Sequence, residues 1–132
     1  CGFLGDQRKP CRCRPAAVDR YRRRLSGPLI DRIDLVVQVG RVTAEQMARG
    51  ASEESADIRH RVSQAREFSR ARSDEIDRSA RGVISAGLES GLITARGAAR
   101  IRRVSRTIAD LAAEEVILEE HVAEALALRN EW

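Results

Sequence analysis

From Ser52 onward, apolar residues recur with the 3.6-residue period of an α-helix through four successive segments. These segments cover residues 52–72, 73–91 and 94–111, and a last one that begins near Leu118. The connections between them are short, so neighbouring helices are expected to pack closely. Aromatic residues make up only 3% of the chain, and a core of Ala, Leu, Ile and Val suits helices packed on helices. The sequence therefore predicts a mainly α fold built on a helical bundle.

The same pattern predicts the helix ends and the core of the bundle. Ser52, Ser73 and Thr94 are each placed to cap a helix N-terminus, and Gly91 is placed to end a helix. The residues predicted to be buried together are Ile58, Val62, Phe68, Ile84, Leu88, Ile101, Val104, Ile108, Leu111, Val122 and Leu126.

The first 50 residues have a different character. Residues 1–14 are rich in Gly, Arg and Cys without an apolar period, which indicates a loop, and a short helix is predicted from Pro15 to about Leu25. The run IDLVVQV at residues 33–39 is short and rich in β-branched residues, which predicts a strand. Thr43 with Gln46 resembles the capping box of another short helix.

The charge of the chain is moderate. It carries 24 Lys and Arg against 20 Asp and Glu, a net charge of +4, and its only lysine is Lys9. Acids interleave with the arginines, so most of these charges are expected to be solvated helix surface. No apolar run approaches the roughly 20 residues that span a bilayer, and no signal peptide is visible. A cytoplasmic protein without a membrane partner is expected, and the missing Met at position 1 suggests a piece of a longer protein.

The stretch SGPLIDRIDL, residues 26–35, places two acids and one arginine in an otherwise apolar run. Asp31, Arg32 and Asp34 could form an internal salt-bridge cluster. Alternatively, Arg32 is held at the end of a strand to contact something outside this chain. The residues alone leave both interpretations open.

Arg96 presents a similar choice. It stands in the first turn of the helix predicted after Thr94 and shares a face with Arg100 and Arg103. The helix dipole opposes a cation at this end, which favours an anion as the partner of Arg96. A solvated basic face is the alternative, and spacing does not choose between them.

The three cysteines, Cys1, Cys11 and Cys13, lie within 13 residues. A disulfide framework is not expected in a chain without a secretion signal. Zinc takes four thiolate or imidazole ligands in a tetrahedron, and a C-x-C pair with a third cysteine upstream supplies three. His60 and His121 lie far away and are expected to be ordinary surface or boundary residues. The sequence indicates either a zinc site with one ligand missing or three unrelated thiols.

These stretches together resemble the C-terminal part of magnesium-chelatase-like AAA+ ATPases, the ComM/YifB group. The resemblance is carried, in order, by CGFLGD, CRC, SGPLIDRIDL, ESADIRHRVSQAR, GLITARGAARIRRVSRTIADLA and HVAEALALR. It implies an AAA+ C-terminal helical lid bundle with a short remnant of the α/β core. The implied parts are a core tail with the Cys-rich loop and the last core strand at 1–40, a linker at 41–51, and the lid domain at 52–132.

The resemblance also implies a function. The parent protein would be a hexameric ATPase that uses ATP and Mg²⁺ to drive branch migration, with neighbouring subunits of a homo-hexamer and DNA as partners. Arg32 looks like the arginine finger that acts on a neighbour's nucleotide, Leu35–Val39 like the last core strand, and Arg96 like the sensor-2 arginine. No G-x-x-x-x-G-K-[ST] motif occurs here, so this chain alone is not expected to hydrolyse ATP. A C-x-C-G pair is usual in the family, and only its second cysteine is present, as Cys1.

The main alternative is a free-standing basic helical module that binds nucleic acid through phosphate contacts. The arginines that it would use are Arg100, Arg102, Arg103 and Arg106. Interleaved acids and scarce aromatic residues weigh against it, and it leaves SGPLIDRIDL unexplained. Magnesium insertion into a porphyrin has no support in the residues beyond shared ancestry.

Overall fold

The computed structural model describes residues 1–6, 8–24, 26–30, 32–50, 52–71 and 74–129. Across these residues the regular structure is helical, and the only β contact found there is an isolated parallel bridge between Ile76 and Ile117. The mainly α fold class is therefore confirmed. The helices are α1 (Pro15–Arg22), α2 (Gly27–Ile30), α3 (Ala44–Arg49), α4 (Ser55–Ala71), α5 (Arg78–Glu89), α6 (Ala95–Leu111) and α7 (Glu119–Ala127).

Four sequence-based predictions fall outside the described residues. These are the helix end at Leu25, the acid Asp31 beside Arg32, the helix end at Arg72 and the cap at Ser73.

The chain forms two compact units. The first comprises Cys1–Ile33 and Gln38–Gly50, and the second comprises Asp34–Val37 and Ala51–Trp132. The core of the second unit is built from Ile76, Ala80, Ile101, Ile117, Val122 and Ala125, with Val83, Ile84, Ile93, Val104, Ile108 and Leu126 packed around it. In this unit α6 packs against α4, α5 and α7, so it is the central helix of the bundle.

Most of the predicted core residues lie in or around this core. Ile101 and Val122 are buried, and Phe68, Ile84, Val104, Ile108 and Leu126 are half-buried. Four predictions of burial are wrong, because the exposed fractions are 43% for Ile58, 37% for Val62, 40% for Leu88 and 46% for Leu111.

The errors share a physical cause. Helix α4 begins at Ser55 rather than near Ser52, and its half-buried residues, Ala65, Phe68 and Ser69, all lie in its second half. Helical spacing identifies the apolar face of a helix, but it does not reveal how much of that face meets a neighbour. The same holds for Leu88 and Leu111, which lie in the last turns of α5 and α6.

The predicted strand at residues 33–39 is also wrong, since none of these residues lies in a strand. A β-branched run becomes a strand only when another strand accepts its hydrogen bonds. Here the N–H of Val36 donates instead to the carbonyl of Leu128 at the end of α7, with an N···O distance of 2.7 Å. The described part of the chain offers this segment a helix end rather than a sheet.

Two predicted helix caps are confirmed. Thr43 and Gln46 form the reciprocal capping box at the start of α3, with N···O distances of 3.1 and 2.8 Å. The Thr94 hydroxyl accepts the N–H of Gly97 at 3.0 Å at the start of α6. Gly91 follows α5 with a φ of 72°, a backbone conformation that favours glycine and suits a helix stop.

His121 corrects the expectation of a surface or boundary residue, since only 4% of it is exposed. Its Nδ1 accepts the N–H of Leu118 at 3.0 Å at the first turn of α7. His60 is exposed on α4, as expected.

None of the helices in the described ranges has the length and apolar character needed to cross a bilayer.

Candidate functional site

The three cysteines come together in the first unit. Their Sγ atoms all lie within 4.8 Å of one another, and those of Cys1 and Cys11 are 3.5 Å apart. A tetrahedral zinc with Zn–S bonds of about 2.3 Å separates its sulfur ligands by about 3.8 Å. Cys1 is exposed, while Cys11 and Cys13 are half-buried, and all three are free thiols. The arrangement therefore fits three ligands of one metal ion better than three unrelated thiols.

Asp6 holds the loop that carries these cysteines. Its carboxylate accepts the backbone N–H groups of Arg8 and Lys9, both at 2.9 Å, and lies 2.7 Å from Nε of Arg41. The hydrogen bonds from Arg8 and Lys9, with a smaller contribution from the Arg41 guanidinium, lower the pKa of the Asp6 carboxyl. The ring of Phe3 packs between two cations, 4.3 Å from Nζ of Lys9 and 4.8 Å from Cζ of Arg41. These contacts connect the cysteine loop to Arg41, which lies shortly before α3.

Arg32 lies in a turn directly after α2, where its N–H donates to the carbonyl of Leu29 at 2.9 Å. Its side chain is exposed, and no ion pair to it is found within the described ranges. Asp34, one of the two acids of the suspected salt-bridge cluster, pairs instead with Arg100 at 2.9 Å. One of the two acids that could have paired with Arg32 is therefore paired with Arg100 instead.

Arg96 lies in the first turn of α6, as predicted, and its side chain is exposed. A second arginine lies nearby that sequence reasoning missed. A methyl group added at Gly97 would lie 3.0 Å from Nη2 of Arg129, so the guanidinium of Arg129 packs against this first turn. The only sequence signal for this contact is a glycine in the first turn of a helix, which permits a close approach.

The remaining arginines of α6 are largely used inside the second unit. Arg100 pairs with Asp34, and Nη2 of Arg102 lies 3.3 Å from both the carbonyl and the carboxylate of Asp74. Arg106 is buried, with its Nε donating to Asp110 at 3.0 Å. The alternative nucleic-acid module was predicted to use these side chains against phosphates, and of its four arginines only Arg103 is exposed without an ion pair among the described residues.

Two family models match the chain. The model described as magnesium chelatase, subunit ChlI C-terminal, matches residues 52–129, and the model described as magnesium chelatase, subunit ChlI, matches residues 1–47. The first match alone covers more than half of the 132 residues. The chain belongs to the magnesium chelatase ChlI C-terminal family.

Relatives of this magnesium-chelatase family member confirm the resemblance to the ComM/YifB group. The competence protein ComM of Haemophilus influenzae is 35% identical over 135 residues, covering 89% of this chain and 26% of ComM. An uncharacterized protein of Mycobacterium tuberculosis is 33% identical, with coverage of 91% and 28%, and YifB of Escherichia coli is 30% identical, with coverage of 89% and 27%. The chain thus spans only about a quarter of the length of these relatives.

The predicted site residues are distributed over both units. The three cysteines and Arg32 belong to the first unit, whereas Arg96 belongs to the second. The cysteines form one cluster, and each of the two arginines stands at the end of a helix, α2 for Arg32 and α6 for Arg96.

Proposed function

We propose that this chain is the C-terminal region of a ComM-like AAA+ ATPase and supplies the arginine finger and the sensor-2 arginine for ATP hydrolysis. The parent would be a cytoplasmic homo-hexamer that binds ATP and Mg²⁺ and drives branch migration on DNA. Residues 1–40 would form the tail of the AAA+ core, residues 41–51 a linker, and residues 52–132 the α-helical lid domain. Family membership and the similarity to ComM support this assignment.

The proposal depends most on the state of Arg32. Its guanidinium is exposed at the end of α2 without an ion pair in the described residues, and Asp34 is occupied by Arg100. A guanidinium stays charged at all physiological pH values and offers two parallel donors to phosphate oxygens. Placed at a neighbour's γ-phosphate, such a group stabilises the transition state of phosphoryl transfer and raises the reaction rate by roughly 10³–10⁵-fold.

Arg96 is proposed to sense the nucleotide of its own subunit. It stands beside the first N–H groups of α6, and the guanidinium of Arg129 packs against the same turn. Helix N-termini favour anions, and added cations strengthen that preference. A nucleotide phosphate at this turn would offset the unfavourable interaction of the cations with the helix dipole.

ATP hydrolysis by the full-length protein tests these roles. Arg32→Ala should lower the turnover rate by about 10³-fold while nucleotide binding stays largely intact, because a finger acts on charge that develops in the transition state. Arg96→Ala should lower turnover and also weaken nucleotide binding, because this arginine can contact ground-state phosphates. Arg78→Ala is the matched control, since Arg78 is an exposed arginine on α5. Normal hydrolysis by Arg32→Ala, or failure of that variant to fold, would contradict the finger role and indicate that SGPLIDRIDL has a structural role.

The cysteine cluster is proposed to bind zinc together with a fourth ligand from upstream in the parent. Thiolates bind zinc strongly, but three of them leave one tetrahedral position open. The 132-residue chain should therefore hold zinc weakly, and an extension that adds the family's upstream cysteine should hold it tightly. Metal analysis after dialysis measures this difference, with Cys11→Ser as the loss variant and His60→Ala as the control. Stoichiometric zinc in the 132-residue chain, lost on Cys11→Ser, would show that three thiolates suffice.

A further inference from the structure

The positive charge of this chain is concentrated at one end. Residues 1–24 contain eight Lys and Arg against two Asp, a net charge of +6. The other 108 residues contain 16 Lys and Arg against 18 Asp and Glu, a net charge of −2. The net charge of +4 is therefore the sum of a basic N-terminal segment and a slightly acidic remainder of the chain.

The structure leaves the arginines of this segment available. Of the two acids in this segment, Asp6 is engaged by the backbone of Arg8 and Lys9 and by the side chain of Arg41, which leaves Asp19. Apart from Arg8, whose charge acts on Asp6, the exposed arginines of this segment that make no ion pair within the described ranges are Arg12, Arg14, Arg20, Arg22, Arg23 and Arg24. We call these six residues, with Tyr21, the α1 basic surface.

Tyr21 gives this surface an aromatic group. It is 72% exposed, although a tyrosine ring in water would gain free energy by burial. The guanidinium carbon of Arg24 lies 6.0 Å from the centroid of its ring, and Arg20 and Arg22 flank it in sequence. An exposed ring among guanidinium groups is the arrangement on which unpaired bases stack while the adjacent cations contact phosphates.

The cysteine loop lies against α1, the helix that carries much of this surface. Cys1, Cys11 and Cys13 line a cavity of about 410 Å³ together with Val18 and Tyr21. The apolar side of α1, with Ala17 and Val18 half-buried, therefore faces the thiols, while its arginines are exposed. The loop thus holds α1 with its cations directed to solvent.

We propose that the α1 basic surface binds single-stranded nucleic acid, with its arginines on the phosphates and Tyr21 stacked on a base. Arginine suits phosphate oxygens because its planar fork donates two parallel hydrogen bonds. Double-stranded nucleic acid or an acidic protein would account for the arginines but not for the exposed ring. The inference does not rest on the roles proposed for Arg32 and Arg96, and it can fail or succeed without them.

Fluorescence anisotropy with a labelled oligodeoxythymidylate and the 132-residue chain tests the proposal. Between about 50 and about 200 mM salt, the logarithm of the binding constant should fall linearly with the logarithm of salt, by about 0.7 per phosphate neutralised on a single strand. The triple variant Arg20→Gln/Arg22→Gln/Arg24→Gln should weaken binding and reduce that slope by about 2. Tyr21→Ala should weaken binding by about tenfold, and Tyr21→Phe should retain it.

The matched control removes the same number of charges from the second unit. Arg59, Arg66 and Arg70 are exposed arginines on one face of α4, so Arg59→Gln/Arg66→Gln/Arg70→Gln should leave affinity and slope unchanged. Equal losses in the two triple variants, or no binding by the unmodified chain at about 50 mM salt, would overturn the proposal. Equal or tighter binding of a duplex of the same length, or displacement by polyglutamate as effective as by unlabelled oligonucleotide, would overturn the single-strand assignment.

Discussion

Arg106 is the buried cation of the second unit. Its Nε donates to Asp110 at 3.0 Å, and its two terminal nitrogens donate to the carbonyls of Glu115 and Glu114. The side chains of Arg106 and Asp110 are only 7% and 9% exposed. One guanidinium therefore satisfies a buried carboxylate and two carbonyls that follow the end of α6, which joins that helix to the segment before α7.

Replacing Arg106 should be far more costly than replacing its neighbours. Arg106→Met should lower the free energy of unfolding by about 3 kcal/mol, because it leaves the Asp110 carboxylate buried without its cation. Arg103→Met, on the exposed side of the same helix, should change it by less than about 0.5 kcal/mol. Urea denaturation measures both values, and equal effects would show that the buried pair contributes little.

Asp6 provides a residue-level prediction about pH. Hydrogen bonds from the N–H groups of Arg8 and Lys9 lower the pKa of its carboxyl, so the folded loop binds a proton less readily than the unfolded chain does. The stabilising contribution of Asp6 is therefore complete above the unfolded pKa of about 3.9 and is lost as the pH falls through the lower folded value.

The amide proton signals of Arg8 and Lys9, followed by NMR, should report this titration with a midpoint below about 3.9. Asp6→Asn is the control and should abolish it, because an amide does not titrate. A midpoint above that value would contradict the hydrogen-bond geometry of the loop.

Single residues were predictable where the cause is local. The caps at Thr43 and Thr94 depend only on a side chain and an N–H group three residues on, so the sequence displays them. The burial of Arg106 and His121 depends on segments that follow the helix or surround its end. An arginine inside a basic run gives no sign of this, which is why the alternative nucleic-acid module includes Arg106 among its phosphate contacts.

At the scale of elements, α6 organises the second unit, and its start is fixed by Thr94. The hydroxyl satisfies the N–H of Gly97, one of the four N–H groups that a helix start leaves without a backbone partner. Thr94→Ala should lower the free energy of unfolding by about 1 kcal/mol, whereas Thr94→Ser should retain most of it. Thermal or urea denaturation distinguishes the two variants, and equal stability would mean that the cap contributes nothing.

The positions of the helices were largely predictable from the sequence, but the neighbours against which each segment packs were not. The helical period from Ser52 to Leu126 gave α4 to α7 because each has an apolar face. The strand predicted at 33–39 failed because strand formation depends on a partner that no local pattern contains. The exposed apolar residues Ile58 and Val62 show the same limit for a helix, whose neighbours are also set by the rest of the fold.

At the scale of the whole molecule, the chain is short beside its relatives. It spans about a quarter of its relatives, and the two arginines proposed for ATP hydrolysis lie in different compact units. The sequence order of SGPLIDRIDL and TARG predicted the family, but the roles proposed for Arg32 and Arg96 would depend on a nucleotide and a neighbouring subunit. Those roles can be measured only in the full-length protein.

Subunit mixing tests the role of Arg32 most directly. A finger acts in the neighbour's site. Full-length Arg32→Ala protein should therefore be inactive alone, and so should a variant that lacks the lysine of the G-x-x-x-x-G-K-[ST] motif expected upstream in the parent. In the proposed hexamer, mixing would create interfaces where an intact finger faces an intact phosphate-binding site, so it should restore part of the ATP hydrolysis. No activity at any mixing ratio, with both variants folded and assembled, would contradict a finger supplied in trans by Arg32.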